Sequence, residues 1–517
     1  MGLLKNDYGW ALLAGLGCVF GFEPFGIFPI PVLALAVLFT LWQRAATPRK
    51  AAWVGFAFGL GLFGAGIGGI YIAMHVYGDM PLLLALLATL LFSAFWALLP
   101  ALAGYAQAHI SGATSGANGL RIMLVMPAVW ALLEWFRGLL VTGFPWLTLG
   151  YAQSDTPLAG YAPVFGVYGV SLAMAISAGL LAWLFARVWS GRIFTSPSGN
   201  GERGRWVLAL SVLLLLWVTG ALLRTVAWTQ KFGEPFSVAL VQGNIAQNLK
   251  FNEDALVGTL ETYRRLVSQS EARLTVLPET ALPLLRHEVP PTLVEQLGNH
   301  ARQNGGDVLI GSFERDHGSY YNSVFTLGAA DEQHYRKQHL VPFGEFIPLR
   351  PLLGWFINGV LNIPMGDLAR GDALQAPLDI AGQRVAVNIC YEDVFGEEII
   401  RALPQATLLV NVTNDAWYGN SPVAAQHNQI AQLRALESGR MMLRATNTGV
   451  TSIIGADGKV LQQLPQHMEA VLQGQAQGYE GYTPYARWGN AAVLLLIALM
   501  LAGALGKRWG SFARNTK

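Results

Sequence analysis

The chain has 517 residues, 53% of them hydrophobic and only 13% charged, with a formal net charge of +2 and a mean hydropathy of +0.39. A soluble globular protein carries about 25% charged residues, so much of this chain must face something other than water. A net charge this small, with no aromatic-basic patch, argues against nucleic acid as a partner.

A membrane span needs ~20 mostly apolar residues. Runs of that kind cover 8–25, 28–43, 51–76, 81–107, 120–140, 161–186, 205–224 and 487–506, which predicts eight spans. The first two are short and joined by the Gly/Pro-rich turn FEPFGIFPIP. No small-residue cleavage site precedes a polar start after the first run, so it is expected to be retained rather than removed as a signal peptide. Orientation follows from where Lys and Arg collect. Lys5, the group Arg44, Arg49 and Lys50, Arg121, the group Arg187, Arg192, Arg203 and Arg205, and the tail Lys507, Arg508, Arg514 and Lys517 all fall on one side of an eight-span arrangement. That side is expected to be the cytoplasm. Residues 1–227 are then an N-terminal membrane domain of seven spans, 228–482 an exoplasmic domain, and 483–517 a last span with a cytoplasmic tail. Glu134 and Arg137 sit inside the apolar part, where charges are costly and are expected to have partners. His75 and Asp79 fall at an exoplasmic turn and read as solvated.

Within the exoplasmic segment, FSVALVQGNI (236–245), RLTVLPET (273–280), DVLIGSFE (307–314), RVAVNIC (384–390) and TLLVNVTND (407–415) read as strands. Helical spacing appears near 253–270, 290–304 and 423–445. TSIIGADGKVL (451–461) reads as a hairpin around Asp457-Gly458. Strands alternating with helices predict an α/β layered fold with its site at the C-terminal ends of strands.

Three polar residues fall where strand ends would bring them together: Glu279 in LPET, Lys337 in YRKQHLVPFGE and Cys390 in NICYED. Each has a plainer reading, as a helix cap, a solvated charge and a packed thiol respectively. Together they supply a base, a cation for a developing oxyanion, and a nucleophile. Cys18 and Cys390 are the only cysteines, and Cys18 lies in an apolar run. Residues 346–366, FIPLRPLLGWFINGVLNIPMG, are too hydrophobic for an ordinary exposed loop. Two readings stand: a helix packed on the domain core, or a mobile arm dipping into the bilayer interface. No Cys/His cluster has zinc spacing and no Gly-rich phosphate loop precedes a helix, so neither a metal nor a nucleotide cofactor is expected. His339 and His427 read as hydrogen-bonding residues.

LPET, the YRKQHLVPFGE run and the NICYED elbow resemble the Glu-Lys-Cys triad of the nitrilase superfamily. NVTNDAWYG (411–419) and ALESGRMMLRATNTG (435–449) extend that likeness over about 235–475. With seven spans before this domain and one after it, and with TGFPWLTLGYAQ (142–153) and TPYARWGN (483–490), the chain is similar to the bacterial apolipoprotein N-acyltransferase family. The resemblance implies an integral membrane α-helical bundle carrying an α-β-β-α sandwich. It also implies Cys390 as nucleophile, Glu279 as general base, and Lys337 with a backbone N–H near Tyr391 as the oxyanion site. Glu345 would orient Lys337 or help in proton transfer, and Glu392 would support the loop by hydrogen bonding. Phe251 stands where the family often has Trp. Phe251, Trp417, Trp355 and Phe356 are the expected substrate contacts. The implied reaction is ping-pong: an acyl chain passes from a phospholipid, expected to be phosphatidylethanolamine, through a Cys thioester to the α-amine of a diacylglyceryl-cysteine on an apolipoprotein. The implied setting is the bacterial inner membrane, with the catalytic domain facing the periplasm and the chain a monomer. A membrane-tethered amidase or hydrolase with the same triad is the alternative. A transporter-like bundle with a degenerate binding domain fits less well, because all three triad residues are present and the spans are nearly free of charge.

Overall fold

The computed structural model describes residues 6–111, 119, 121–189, 199–347 and 367–515. The chain forms two compact units, one of Met1–Gly68, Leu86–Val226 and Trp488–Lys517, the other of Gly69–Ala85 and Ala227–Arg487.

The first unit is helical. Its described helices include Asp7–Cys18, Pro29–Arg44, Pro48–Gly66, Met126–Arg137, Ala162–Trp189 and Gly199–Leu223. Starts follow the local chemistry. Asn6 accepts from the Gly9 N–H at 3.0 Å, and Thr47 accepts from the Lys50 N–H at 3.1 Å just ahead of Pro48, so orphan donors at both helix starts are satisfied. The helices Asp7–Cys18 and Pro48–Gly66 meet along a glycine seam. A Cβ at Gly15 would lie 2.0 Å from the Phe58 carbonyl oxygen, and one at Gly61 2.3 Å from that of Leu12, so only glycine lets these backbones approach so closely.

Three described helices are long and apolar enough to cross a membrane: Leu82–Ile110, Pro157–Arg187 and Arg203–Leu223. A fourth candidate is the pair Pro48–Gly66 and Gly68–Tyr77, bent by 55°. Pro29–Arg44 and Ala491–Leu505 are shorter apolar helices. The expected runs 8–25 and 120–140 hold helices of only 12 residues each. The first gives way to a 3₁₀ turn at Val19–Gly21, and the second begins with a π turn at Arg121–Val125. Glu134 and Arg137 do find partners, in the loop that follows them. Glu134 Oε1 accepts from the Leu149 N–H at 2.9 Å. Arg137 donates to the carbonyl oxygens of Phe144 and Trp146 and to Thr148 Oγ1. The two charges therefore fold the GFPWLTLG segment back on its helix.

The second unit contains two six-stranded sheets. Their strands in chain order are β1 (Gln230–Gln242), β2 (Leu274–Val276), β3 (Asp307–Asp316), β4 (Ser319–Gly328), β5 (His334–Arg336), β6 (Leu378–Ile380), β7 (Gln383–Ile389), β8 (Leu408–Thr413), β9 (Met442–Thr446), β10 (Ser452–Ile454), β11 (Val460–Gln463) and β12 (Ala470–Glu480). The orders are β12-β1-β2-β3-β4-β5 and β11-β10-β9-β8-β7-β6. Both are mixed: β1, β2 and β3 run parallel, as do β7, β8 and β9, and the outer pairs are antiparallel.

Side-chain alternation explains the layers. Val238 and Leu240 of β1 and Val385, Val387 and Ile389 of β7 share one core between the sheets. The opposite face of the first sheet, with Val241, Val308 and Ile310, packs on Tyr263, Leu266, Leu293 and Leu297 of the helices Glu253–Ser268 and Pro291–Gln303. The opposite face of the second, with Ala386 and Leu409, packs on Ala431 and Ala435 of the helix Val423–Ser438. The result is an α-β-β-α sandwich, as period-2 strands with two apolar faces require.

The predicted helix over 423–445 ends early. Ser438 is its last residue, because Gly439 takes a left-handed conformation, φ 63° and ψ 35°. A Cβ there would lie 2.6 Å from Thr229 Cγ2. The chain after it is β9, not helix. The strands β4, β5, β6, β9 and β12 were not expected from the sequence. The expected hairpin near Asp457-Gly458 is present as β10 and β11.

Candidate active site

Glu279, Lys337 and Cys390 all lie just beyond strand ends of the second unit. Glu279 follows β2, Lys337 follows β5 and Cys390 follows β7. Two of these exits are conformationally strained: Cys390 has φ 54°, and Thr280, next to Glu279, has φ 49°. Non-glycine residues rarely adopt this region, and a cysteine held there is aimed by its surroundings rather than by its own preference. Asn411 Nδ2 donates to the Cys390 carbonyl at 3.1 Å, and the Ile389 N–H donates to Glu392 Oε2 at 2.6 Å. These contacts hold the elbow from both sides.

Glu279, Lys337 and Glu345 form one buried cluster, with 7%, 1% and 3% of their surface exposed. Lys337 Nζ donates to Glu345 Oε1 at 2.9 Å and to Glu279 Oε1 at 3.4 Å. Asn322 Nδ2 bridges the same two oxygens at 2.8 and 3.0 Å. The second oxygens are held by main chain: Glu279 Oε2 accepts from the Asn414 N–H and Glu345 Oε2 from the Val341 N–H. Burial alone would lower the Lys337 pKa, but Glu345 and Glu279 outweigh it and hold the ammonium well above its usual value. Lys337 is thus a fixed cation. Loss of hydration pushes the Cys390 thiol up, with Glu279 adding to the shift and Lys337 opposing it. The resting thiol is therefore neutral, and ionising it requires a proton acceptor beside it. Among the charges acting on Cys390, Glu279 is the carboxylate with the largest effect.

Glu392 is buried and accepts from the N–H groups of Gln338, His339 and Ile389 and from the Tyr335 hydroxyl. Burial pushes its pKa up to about 7, against these donors. Its contacts tie the Lys337 segment to the cysteine elbow. Tyr391 packs edge-on against Phe395 at 5.3 Å. Phe251 is half exposed and tilts against Phe313 at 6.4 Å. Trp417 meets Tyr77 edge-on at 6.3 Å. Tyr77 comes from Gly69–Ala85, a stretch the sequence divides between two membrane spans and the turn that joins them. Trp355 and Phe356, with most of the 346–366 arm, lie outside the described residues.

Behind the elbow is a buried network that the sequence did not announce. Arg444 Nη1 donates to Asp393 Oδ2 at 3.0 Å and to Asn411 Oδ1 at 2.6 Å, and Nη2 to Asp415 Oδ2 at 3.2 Å. His427 sits between the same two aspartates, Nε2 at 2.8 Å from Asp393 Oδ1 and Nδ1 at 2.9 Å from Asp415 Oδ1. With a carboxylate at each ring nitrogen, the imidazolium is the favoured form. Burial and Arg444 push the His427 pKa down, yet Asp393 and Asp415 raise it above the usual histidine value. Two carboxylates then face two cations. Asn322, Asn411, Asn414 and Arg444 are polar residues on or beside strands, where sequence pattern alone reads them as ordinary strand and loop positions.

The network predicts a pH dependence of stability. A pKa raised in the folded state adds stability that is full below the unfolded value of about 6.5 and is lost as pH rises through the folded pKa. Thermal unfolding of the wild type in detergent is therefore expected to weaken from neutral to alkaline pH more than that of His427→Gln. Parallel curves for the two proteins would show that His427 is not protonated in the fold.

Comparison with known proteins adds family to this geometry. Residues 14–180 match the apolipoprotein N-acyltransferase N-terminal domain family, and residues 237–484 the carbon-nitrogen hydrolase family. A protein of Nitrosomonas europaea named apolipoprotein N-acyltransferase is 51% identical over 96% of this chain and 96% of its own length. Proteins of the same name from Ralstonia nicotianae and Methylococcus capsulatus are 44% and 42% identical, each over 96% of this chain and over 93% and 95% of their own lengths.

Proposed function

The chain belongs to the apolipoprotein N-acyltransferase family, and from that premise we propose that it transfers a fatty acyl chain from a phospholipid, through a thioester on Cys390, to the α-amine of diacylglyceryl-cysteine on apolipoproteins. The observation that supports this most is the buried Glu279–Lys337–Glu345 cluster acting electrostatically on a cysteine held at positive φ.

In this reading Glu279 takes the proton from Cys390 Sγ as the sulfur attacks the ester carbonyl of the donor, phosphatidylethanolamine. The tetrahedral oxyanion forms against Lys337 and a backbone N–H near Tyr391, and Glu345 keeps Lys337 in place. Collapse releases the lysophospholipid alkoxide, which receives the proton from Glu279. In the second half the lipoprotein amine attacks the thioester, Glu279 accepts the amine proton, and the expelled thiolate is reprotonated. A thioester suits this order because it reacts with amines more readily than an oxygen ester does. Water must be excluded, or the acyl-enzyme is lost to hydrolysis. Phe251 and Trp417, with Trp355 and Phe356 of the 346–366 arm, would line the path of the acyl chains.

The setting in this reading is the bacterial inner membrane. Residues 1–227 supply seven spans and 483–517 the eighth, both termini are cytoplasmic, and 228–482 works in the periplasm as part of a monomer.

The test is intact-protein mass spectrometry after incubation with phosphatidylethanolamine. A gain of one acyl chain, labile to hydroxylamine, is expected, and a diacylglyceryl-cysteine peptide should discharge it as an amide. Release of free fatty acid with no discharge to the peptide would replace this reading with that of a membrane-tethered hydrolase.

A further inference from the structure

One buried cation near the site is not used by the mechanism above. Lys250 lies in the loop between β1 and the helix Glu253–Ser268 and is only 4% exposed. Its Nζ donates to the main-chain carbonyl of Glu279 at 3.0 Å. Among the described residues it forms no ion pair, although buried lysines are ordinarily paired. The charge that acts on it is that of Glu279, joined by that of Cys390 once the thiol ionises.

A count of nearby charges shows what it answers. Glu345 and Glu279 are two carboxylates facing the single cation Lys337. Glu392, whose pKa is pushed up to about 7 by burial, is held by four neutral donors of its own, and Asp415 and Asp393 are balanced by Arg444 and His427. Without Lys250 the Glu279–Glu345–Lys337 cluster carries one uncompensated negative charge, which opposes any thiolate or oxyanion formed there. With it, the charges of Glu279, Glu345, Lys337 and Lys250 sum to zero. Moving the thiol proton from Cys390 to Glu279 leaves that sum unchanged: Glu345 and the thiolate then face Lys337 and Lys250.

We propose that Lys250 is a positioning residue of the active site that supplies the second positive charge for Cys390 thiolate formation and fixes the Glu279 main chain. Loss of hydration lowers the Lys250 pKa to about 8, with Glu279 opposing the shift, so the ammonium persists at neutral pH. This inference rests on the assignment of Cys390 as the nucleophile.

Its test needs no acyl transfer, so it succeeds or fails separately from the proposed reaction. The rate at which iodoacetamide alkylates Cys390 is measured at neutral pH, where Lys250 is charged, on the full-length protein in detergent, with peptide mapping to separate Cys390 from Cys18. Lys250→Gln keeps a donor for the Glu279 carbonyl but removes the charge, and Lys250→Arg keeps the charge. Removing one nearby unit charge is expected to slow alkylation of Lys250→Gln about tenfold or more, as for a thiol raised by one pKa unit, while Lys250→Arg stays with the wild type. A rate for folded Lys250→Gln that coincides with the wild type would overturn the proposal, as would an equal slowing in both variants. If Lys250→Gln does not fold, the same comparison is made with Lys250→Arg and Lys250→Met, judged by the same criterion.

Discussion

Cys390→Ala is expected to abolish acyl transfer, a fall on the order of 10⁶ in turnover, as when the nucleophile is removed from other acyl-transfer enzymes. The expectation rests on there being one thiol in the cluster: Cys18, the other cysteine, is fully buried in the helical unit. The hydroxylamine-labile acyl adduct should vanish with the activity. Alanine is expected to be tolerated, since the Cys390 carbonyl and Ile389 N–H contacts that hold the elbow remain and only the thiol's contact with Thr413 is lost. The melting temperature should therefore stay within a degree or two of the wild type. Full activity in this variant would mean that the chemistry lies elsewhere and that Cys390 is a packed small residue.

The largest effect on stability is expected from Arg444→Met. Arg444 is fully buried, and its guanidinium bridges Asp393, Asn411 and Asp415. Removing one partner of a buried ion pair leaves the others uncompensated and costs about 3–5 kcal/mol. For a unit of this size that is a drop on the order of 10 °C in melting temperature. Asp415→Asn added to Arg444→Met should recover part of the loss, because it leaves one carboxylate, Asp393, facing the remaining cation, His427. A single variant that melts like the wild type would show that the network contributes nothing to the fold. Activity is expected to fall as well in the folded fraction, because Arg444 holds Asn411, and Asn411 holds the Cys390 carbonyl.

The two effects belong to different levels of organisation. In the proposed reaction the cysteine acts on substrate, and the network acts on the cysteine's backbone. A residue at φ 54° needs support, and the structure supplies it from β8 and β9, strands separated from Cys390 by tens of residues in sequence.

Much was legible in the chain itself. Apolar runs separated a membrane-type region from a polar one, because burial in lipid and burial in a water-soluble core demand different lengths of hydrophobic sequence. Short β-branched runs gave β1, β2, β3, β7 and β8, since strands with two covered faces have few polar positions to obscure them. The three proposed catalytic residues stood out because a carboxylate, an amine and a thiol directly after apolar strands have little reason to be there otherwise. Tertiary structure decided the rest. β4 and β12 carry polar and aromatic residues within a covered sheet, so their strand character comes from their partners rather than their own pattern. β9 was hidden behind a helix that only the left-handed Gly439 stops. Asn322, Asn414, Arg444 and Lys250 carry no local signal, because a hydrogen bond between residues tens to hundreds of positions apart leaves no periodicity in either segment. The sequence determined which groups could do chemistry; only the fold determined which charges surround them.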